Sequence, residues 1–158
     1  MQGIPREPGS YVLVVWLPQD ARIHVGRLGE QRFPAGWYLY AGSALGGLDG
    51  RVRRHLRADK RPHWHIDRLV AHAPVRKVWL RVGSDRLECI WASALARLPE
   101  ARAHIDGFGA SDCSCATHLF WCARRPALAE FRTLVGAPLR CIVVREGAYT
   151  KGGLLGRF

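Results

Sequence analysis

The chain contains, in this order, two tyrosines, one arginine and one glutamate whose side chains could together hydrolyse a phosphodiester bond. They are Tyr11, Tyr40, Arg51 and Glu88. The reaction needs a proton acceptor for water, positive charge at the phosphoryl oxygens and help for the leaving oxygen. Either tyrosine could accept the proton if a metal ion or a nearby arginine lowers its pKa from the ordinary value of about 10.

The arginine and the glutamate have complementary roles in such a reaction. Arg51 is permanently charged and can donate two parallel hydrogen bonds to one phosphate. A lone carboxylate such as Glu88 can hold a Mg²⁺ or Mn²⁺ ion that keeps most of its waters. His55, one helical turn after Arg51, could orient a tyrosine or position a water. We therefore expect a catalytic site that includes His55, with Glu88 as the metal ligand.

Each of these residues also has a structural interpretation. The tyrosines could be aromatic residues of the core, the arginine one cation on a solvated helix face, and the histidine a buried core residue. Glu88 has the most specific alternative, because Asp85-x-x-Glu88 has the spacing of a capping box. In that case the Glu88 carboxylate would accept a hydrogen bond from a backbone N–H and bind no metal.

Basic residues dominate the charge of this chain. It has 158 residues, a formal net charge of +11 and a pI of about 10.3, and 21 of its 24 basic residues are arginine. A charge this high indicates a polyanionic partner, although an arginine-rich codon bias is the alternative. We expect nucleic acid, either DNA or RNA, to contact the glycine-rich turn and the basic helix after it through Gly42, Ser43, Arg53, Arg54, Arg57 and Lys60.

The ordered motifs resemble those of the GIY-YIG endonuclease superfamily, and within it most closely the Uri-type branch. The first motif reads Gly9-Ser10-Tyr11 and the second reads Tyr40-Ala41-Gly42; the stretches YLYAGSALGGLDGRVRRHLR, HWHID and GFGASDCSCATHLFW support the match. The resemblance covers roughly residues 9 to 122. It implies a metal-dependent endonuclease in which Tyr11 is the general base and Tyr40 supports it. Many members use a late asparagine; this chain contains none, and His118 is a candidate for its place.

Hydrophobic periodicity predicts a mixed α/β fold, with a small antiparallel or mixed sheet of three strands flanked by helices. The first strand is expected over 11–17, an antiparallel second one over 21–28, and the third over 36–41 before a glycine-rich loop. Helices are expected from about 48, from 62 and from 84 or 85, with a strand over 75–82. We expect a polar lead-in over 1–9, a nuclease-like domain over 10–122, and a helix, a strand and a Gly-rich tail over 123–158 packed on that domain.

Five cysteines without an export signal indicate reduced thiols in a cytoplasmic protein, and no segment is long enough to predict a membrane span. The stretch Cys113-x-Cys115-x-x-His118 suggests zinc. Its spacing is unusual for zinc, however, and no second cysteine pair follows. We therefore expect buried thiols and no structural zinc. Two other functions stay open: a basic nucleic-acid-binding module without hydrolysis, and a regulatory domain whose zinc is held by these three residues.

Overall fold

One strand, buried on both faces, forms the centre of the molecule. The computed structural model describes residues 3–145 of the chain. Strand β1 (Gly9–Leu17) is hydrogen-bonded along both edges, and all but one of its residues are buried. A strand covered on both faces has no solvated face, so its sequence is continuously apolar and does not alternate with polar residues.

The other elements of residues 3–145 surround this strand. The remaining strands are β2 (Ala21–His24), β3 (Glu30–Phe33), β4 (Gly36–Ala44), β5 (Val75–Val82), β6 (Arg102–Ala103), β7 (Leu119–Cys122) and β8 (Arg140–Val143). The helices are α1 (Leu48–Leu56), α2 (His65–Val70), α3 (Glu88–Ala96) and α4 (Leu128–Val135). Six strands form one antiparallel sheet in the order β6-β7-β4-β1-β5-β8.

The sheet separates two apolar clusters. Alternate β1 residues that include Tyr11 and Leu13 contribute to one cluster, which also contains buried side chains of α1 and α2. The intervening residues, Val12 and Val14, contribute to the other cluster, with α3 and α4. The strand period of two therefore assigns Tyr11 to the α1 side of the sheet.

The mixed α+β class is confirmed, but the predicted three-stranded sheet is too small. The predicted second strand ends at His24, and β2 pairs with β3 in a separate two-stranded sheet, not with β1. Strand β4 continues to Ala44, so much of the expected glycine-rich loop is strand and helix. None of the helices that residues 3–145 form has the length and apolar character of a membrane span.

Segments at both ends of the described chain are part of this body. In the lead-in, Ile4 is buried, and the Glu7 carbonyl accepts the N–H of Leu48 where α1 begins. After residue 122, α4 packs Phe131 against Trp79 of the sheet, and β8 pairs with β5. The expected Gly-rich tail lies outside the described residues.

Strand β4 approaches Tyr11 so closely that Gly42 has no room for a side chain. Gly42 lies directly opposite Tyr11 in the β1–β4 register, and a Cβ added there would come within 2.6 Å of the tyrosine hydroxyl oxygen. The Tyr-x-Gly glycine therefore makes space for the ring of the first tyrosine.

Replacing Gly42 by alanine should lower the free energy of unfolding by about 1–3 kcal/mol, because the ring or the strand must shift. Chemical denaturation measures this change. The matched control is Gly46→Ala, whose added Cβ would meet no atom within 4 Å. Equal stabilities of the two variants would contradict the close approach.

Candidate functional site

The predicted catalytic residues converge on one concavity at one end of the paired strands β1 and β4. We call it the tyrosine pocket; it has a volume of about 550 Å³. Its lining includes Tyr11, Tyr40, Gly42, Ser43, Arg51, His55 and Glu88, and also His63, Trp64, His65, Arg86, Gly109, Asp112 and His118. Residues far apart in sequence therefore meet here, as the motif order predicts.

Tyr11 is fixed from two sides. Its ring occupies the space over Gly42, and its hydroxyl oxygen lies 2.7 Å from Nε2 of His55 on α1. Both side chains are almost completely buried, as is most of Tyr40, whose ring packs edge-on to His55. His55 is therefore a core residue that orients Tyr11.

Burial makes both tyrosines weaker acids than free tyrosine. Loss of solvation raises the pKa of Tyr11 well above 10, although Arg51 opposes this by favouring the phenolate. The pKa of Tyr40 is also raised well above 10, first by burial and then by the proximity of Tyr11 and Glu88. Without further positive charge in the pocket, both hydroxyls are protonated at neutral pH.

His55 is neutral in the folded protein. Burial lowers its pKa to about 3; Asp67 opposes this shift, and Arg51 adds to it. Nδ1 of His55 is buried without a hydrogen-bond partner among residues 3–145, and an imidazolium would place an unpaired N–H there. A neutral ring with its proton on Nε2 avoids that N–H and donates to the Tyr11 oxygen.

Arg51 is held at the wall of the tyrosine pocket by three contacts. Its Nη1 donates to the Ser43 carbonyl at 2.9 Å, and its guanidinium lies 4.5 Å from the ring centroid of Trp64. It also interacts with Tyr11. A guanidinium has five N–H donors, so this arrangement fixes its orientation and leaves donors for a ligand in the pocket.

Glu88 is the first residue of α3, and the start of this helix is hydrogen-bonded to β1 and β4. The Ser43 hydroxyl accepts the N–H of Glu88 at 3.3 Å, and the Ser10 hydroxyl accepts the N–H of Leu87 at 3.1 Å. The two hydroxyls lie 2.9 Å apart. Serines from two strands thus satisfy the N–H groups at the start of α3 and fix its position.

The capping-box interpretation of Glu88 is wrong. The helix begins at Glu88 with Leu87 as its N-cap, so Asp85 does not occupy the N-cap position that this motif requires. The Glu88 carboxylate instead faces the tyrosine pocket, is 15% exposed, and accepts a hydrogen bond from Arg86 on Oε1 at 2.7 Å. The other carboxylate oxygen of Glu88, Oε2, is the atom that could bind a cation.

Most of the basic residues predicted to contact nucleic acid already have partners. Arg54 donates to both carboxylate oxygens of buried Asp67, at 3.0 and 3.1 Å. Arg53 forms an ion pair with Asp49, and Lys60 donates to the backbone carbonyls of His55 and Arg57. Their role as phosphate contacts stays a prediction, and Arg54 has a structural role as well, because it holds α1 against α2.

Gly42 and Ser43, which are also predicted to contact nucleic acid, have structural roles. Arg57 is exposed to solvent. Gly42 makes room for Tyr11, and both oxygens of Ser43 accept hydrogen bonds from within the protein. Arg57, just after α1, has an exposed side chain. Of the six predicted contacts, Arg57 is the best placed for a phosphate outside the pocket.

Three cysteines and one histidine form a second group beside the tyrosine pocket. The Sγ atoms of Cys89, Cys113 and Cys115 and a ring nitrogen of His118 all lie within 4.8 Å of one another. We call this the Cys3His cluster, and it could hold a metal ion. The expectation of no zinc rested on Cys113, Cys115 and His118 alone, which lacked a fourth ligand; Cys89 supplies one from 24 residues earlier.

Sequence reasoning missed three contributors to this region. Cys89 gave no local signal beyond its position after Glu88, because its partners come from a distant loop. Arg86 was one of many arginines, and its pairing with Glu88 depends on how α3 begins. In the sequence, Ser10 is only the middle residue of the first motif. In the structure its hydroxyl accepts the N–H of Leu87 at the start of α3.

Burial of neutral His55 predicts a pH-dependent stability. Its folded pKa of about 3 lies below the unfolded value of 6.5, so the unfolded state binds more protons between these values. The free energy of unfolding should therefore fall as pH drops below about 6.5, with His55 contributing up to about 1.4 kcal/mol per pH unit.

Denaturation of His55→Gln at a series of pH values measures this contribution. The glutamine keeps a donor near Tyr11 but does not titrate, so its stability should fall less steeply with acid than that of the wild type. His72→Gln, which changes an exposed histidine, is the matched control and should keep the wild-type slope. An unchanged slope in His55→Gln would rule out this source of acid sensitivity.

Comparison with known proteins places the chain in a family. No curated protein and no solved structure matches the chain. A family model described as "Domain of unknown function DUF123" matches residues 10–138, which contain the helices and the central strands described above. The match covers well over half of the sequence, and the chain belongs to the DUF123 family.

Proposed function

We propose that this protein is a metal-dependent endonuclease of the GIY-YIG type that hydrolyses phosphodiester bonds in DNA, with RNA as the alternative substrate. The observation that carries the proposal is the convergence of Tyr11, Tyr40, Arg51, His55 and Glu88 on one pocket. If the tyrosines were only core aromatics, Arg51 only a surface cation and Glu88 only a helix cap, we would not expect their side chains to line the same pocket.

Glu88 is the residue that would hold the divalent cation. Mg²⁺ is commonly bound by one or two carboxylates, with waters and substrate phosphate completing its shell. Glu88 fits this pattern because its carboxylate faces the tyrosine pocket and the start of α3 is fixed by Ser10 and Ser43. Arg86 is bound to Oε1, so the cation would bind at Oε2. A bound Mg²⁺ or Mn²⁺ would neutralise phosphate charge and lower the pKa of a bound water.

Arg51 would bind the scissile phosphate. Its guanidinium is oriented by the Ser43 carbonyl and the Trp64 ring, so little side-chain entropy is lost when it binds an anion. Arg51 and the cation at Glu88 would bring positive charge to the phosphoryl oxygens from separate elements, α1 and α3. This positioning and charge stabilisation supply much of the catalysis in phosphate chemistry.

Tyr11 would accept the proton of the attacking water, with Tyr40 as support. Burial holds Tyr11 protonated, so the phenolate must be favoured by positive charge or by hydrogen bonds to its oxygen. Arg51 supplies the positive charge, and Nε2–H of neutral His55 supplies a hydrogen bond to the Tyr11 oxygen. As the phenolate oxygen takes the proton, the water oxygen would attack phosphorus and the bond to the leaving oxygen would break. That oxygen would then take up a proton from solvent water.

Cleavage of labelled DNA tests the proposal directly. Flap, bubble and single-stranded substrates are incubated with the protein, with Mg²⁺ present or withheld. Wild-type protein should cleave at least one of them only with Mg²⁺. Tyr11→Phe should lose about 10²- to 10⁴-fold in rate through loss of the proton acceptor, and Glu88→Gln should lose its response to Mg²⁺.

Matched controls separate catalysis from folding. Tyr38→Phe changes a buried tyrosine of β4 whose hydroxyl donates to the Pro34 carbonyl, and Glu130→Gln changes a glutamate in the first turn of α4. Both should cleave like the wild type. Cleavage that persists in Tyr11→Phe and Glu88→Gln would refute the assigned site. Nucleic-acid binding without cleavage by the wild type would support the non-catalytic binding module instead.

Arg54 of α1 and Arg57, just after that helix, should have different roles. Arg57→Ala should reduce the slope of log affinity against log salt by about one unit and leave stability unchanged, as expected for a phosphate contact. Arg54→Ala should lower the free energy of unfolding by about 3 kcal/mol, because it leaves the buried Asp67 carboxylate without its cation. Salt-dependent binding titrations and denaturation measure both effects, and the reverse pattern would contradict the assignment.

A further inference from the structure

The Cys3His cluster joins two parts of the chain that lie far apart in sequence. Cys89 is in the first turn of α3, whereas Cys113 and Cys115 belong to the loop before β7, and His118 directly precedes that strand. His118 is buried and the three cysteines are partly buried. Apolar packing alone does not explain why three thiols and one imidazole lie within 4.8 Å of one another.

The separations of these atoms suit a single tetrahedral ion. Sulfur ligands about 2.3 Å and a nitrogen ligand about 2.0 Å from a tetrahedral zinc lie about 3.5–3.8 Å from each other. Nε2 of His118 lies 3.5 Å from Sγ of Cys113 and 3.7 Å from Sγ of Cys89. The four atoms all fall within 4.8 Å, so small side-chain movements would complete the shell.

We propose that Cys89, Cys113, Cys115 and His118 bind one structural Zn²⁺ ion. Three sulfurs and one imidazole form a common zinc ligand set, and soft thiolates select zinc over magnesium. An iron–sulfur cluster would bind its ligands through several iron atoms and hold them farther apart. Four protein ligands also fill a tetrahedral shell, so this ion has no open position for a water or a substrate.

At this position, a zinc ion would hold together two segments beside the tyrosine pocket. Cys89 follows Glu88, so a zinc–thiolate bond would fix the first turn of α3 in addition to the hydrogen bonds from Ser10 and Ser43. On the loop side, Gly109 lies against the Tyr40 ring and donates its N–H to His65. The zinc would therefore connect the wall that carries Glu88 to the wall that covers Tyr40.

This ion is distinct from the cation assigned to Glu88. The Cys3His cluster offers sulfur and nitrogen, which suit zinc, whereas Glu88 offers oxygen, which suits magnesium. Zinc content is measured without any nucleic acid. The proposal therefore stands if cleavage is never found, and cleavage could exist in a protein that binds no zinc.

Metal analysis of the purified chain under reducing conditions tests the proposal. Elemental analysis after zinc addition and removal of free metal should give one zinc per chain. Substitution with Co²⁺ should give the intense visible absorption of a tetrahedral sulfur-rich site, and X-ray absorption of the zinc protein should show three sulfur neighbours and one nitrogen. Clearly less than one zinc, or a shell dominated by oxygen, would overturn the proposal.

Variants and thiol titration assign the ligands. Cys113→Ser and Cys89→Ser should lose most of the bound zinc, whereas Cys141→Ser, which changes an exposed cysteine of β8, should keep one per chain. Because a ligand variant could also fail to fold, zinc release is followed in the wild type during titration with a mercurial. Zinc should leave as three thiols react, in the wild type and in Cys141→Ser alike. Release linked to Cys141, or thiol reaction without zinc release, would refute the ligand set.

Hydrogen exchange tests the structural role. Removing zinc should accelerate exchange in the 104–118 loop and at the start of α3, because the link between them is lost, and leave the β5–β8 pair unchanged. Equal exchange with and without zinc would show that the ion does not connect these segments.

Discussion

The pairing of β1 with β4 places Tyr11 directly opposite Gly42, and the rest of the tyrosine pocket depends on that register. A slip of one residue would move Tyr11 to the α3 side of the sheet and bring Ser10 to the α1 side. In the observed register, Tyr11 packs over Gly42 and reaches His55, while Ser10 and Ser43 face the other way and hold the start of α3. The pairing of β1 with β4 therefore sets both sides of the site.

The same strand pair explains why buried polar groups lie among the otherwise apolar residues of the core. Ser10, Ser43 and His55 are nearly or fully buried, and each is hydrogen-bonded to a group that the site needs in place. A buried polar group without a partner is costly, so such residues restrict the sheet to one arrangement. In this fold the polar core residues connect the central strands to α1 and α3, the two helices that carry Arg51 and Glu88.

The sequence predicted the elements whose patterns are local and missed what depends on tertiary contact. The continuous apolar run of β1 and the 75–82 strand follow from local patterns. The order along the chain singles out five residues that line the pocket: Tyr11, Tyr40, Arg51, His55 and Glu88. The partner of β2 could not be read from its alternation, because a strand pattern does not say which edge it joins. Arg54 looked like its basic neighbours, since only the fold shows that Asp67, on the next helix, engages it. Cys89 likewise gains its meaning from a loop that comes 24 residues later.

The first turn of α3 places an oxygen donor and a sulfur donor on successive residues. Glu88 offers an oxygen to the tyrosine pocket, and Cys89, the next residue, offers a sulfur to the Cys3His cluster. Successive residues of a helix point about 100° apart, so one turn can present them to different neighbours. A carboxylate that binds a weakly held, partly hydrated cation needs a rigid support, because a shift of about 1 Å can cost 10²-fold in rate. A closed sulfur site beside it is a chemically sound way to provide that rigidity, since its ligands do not compete for the cation that Glu88 would bind.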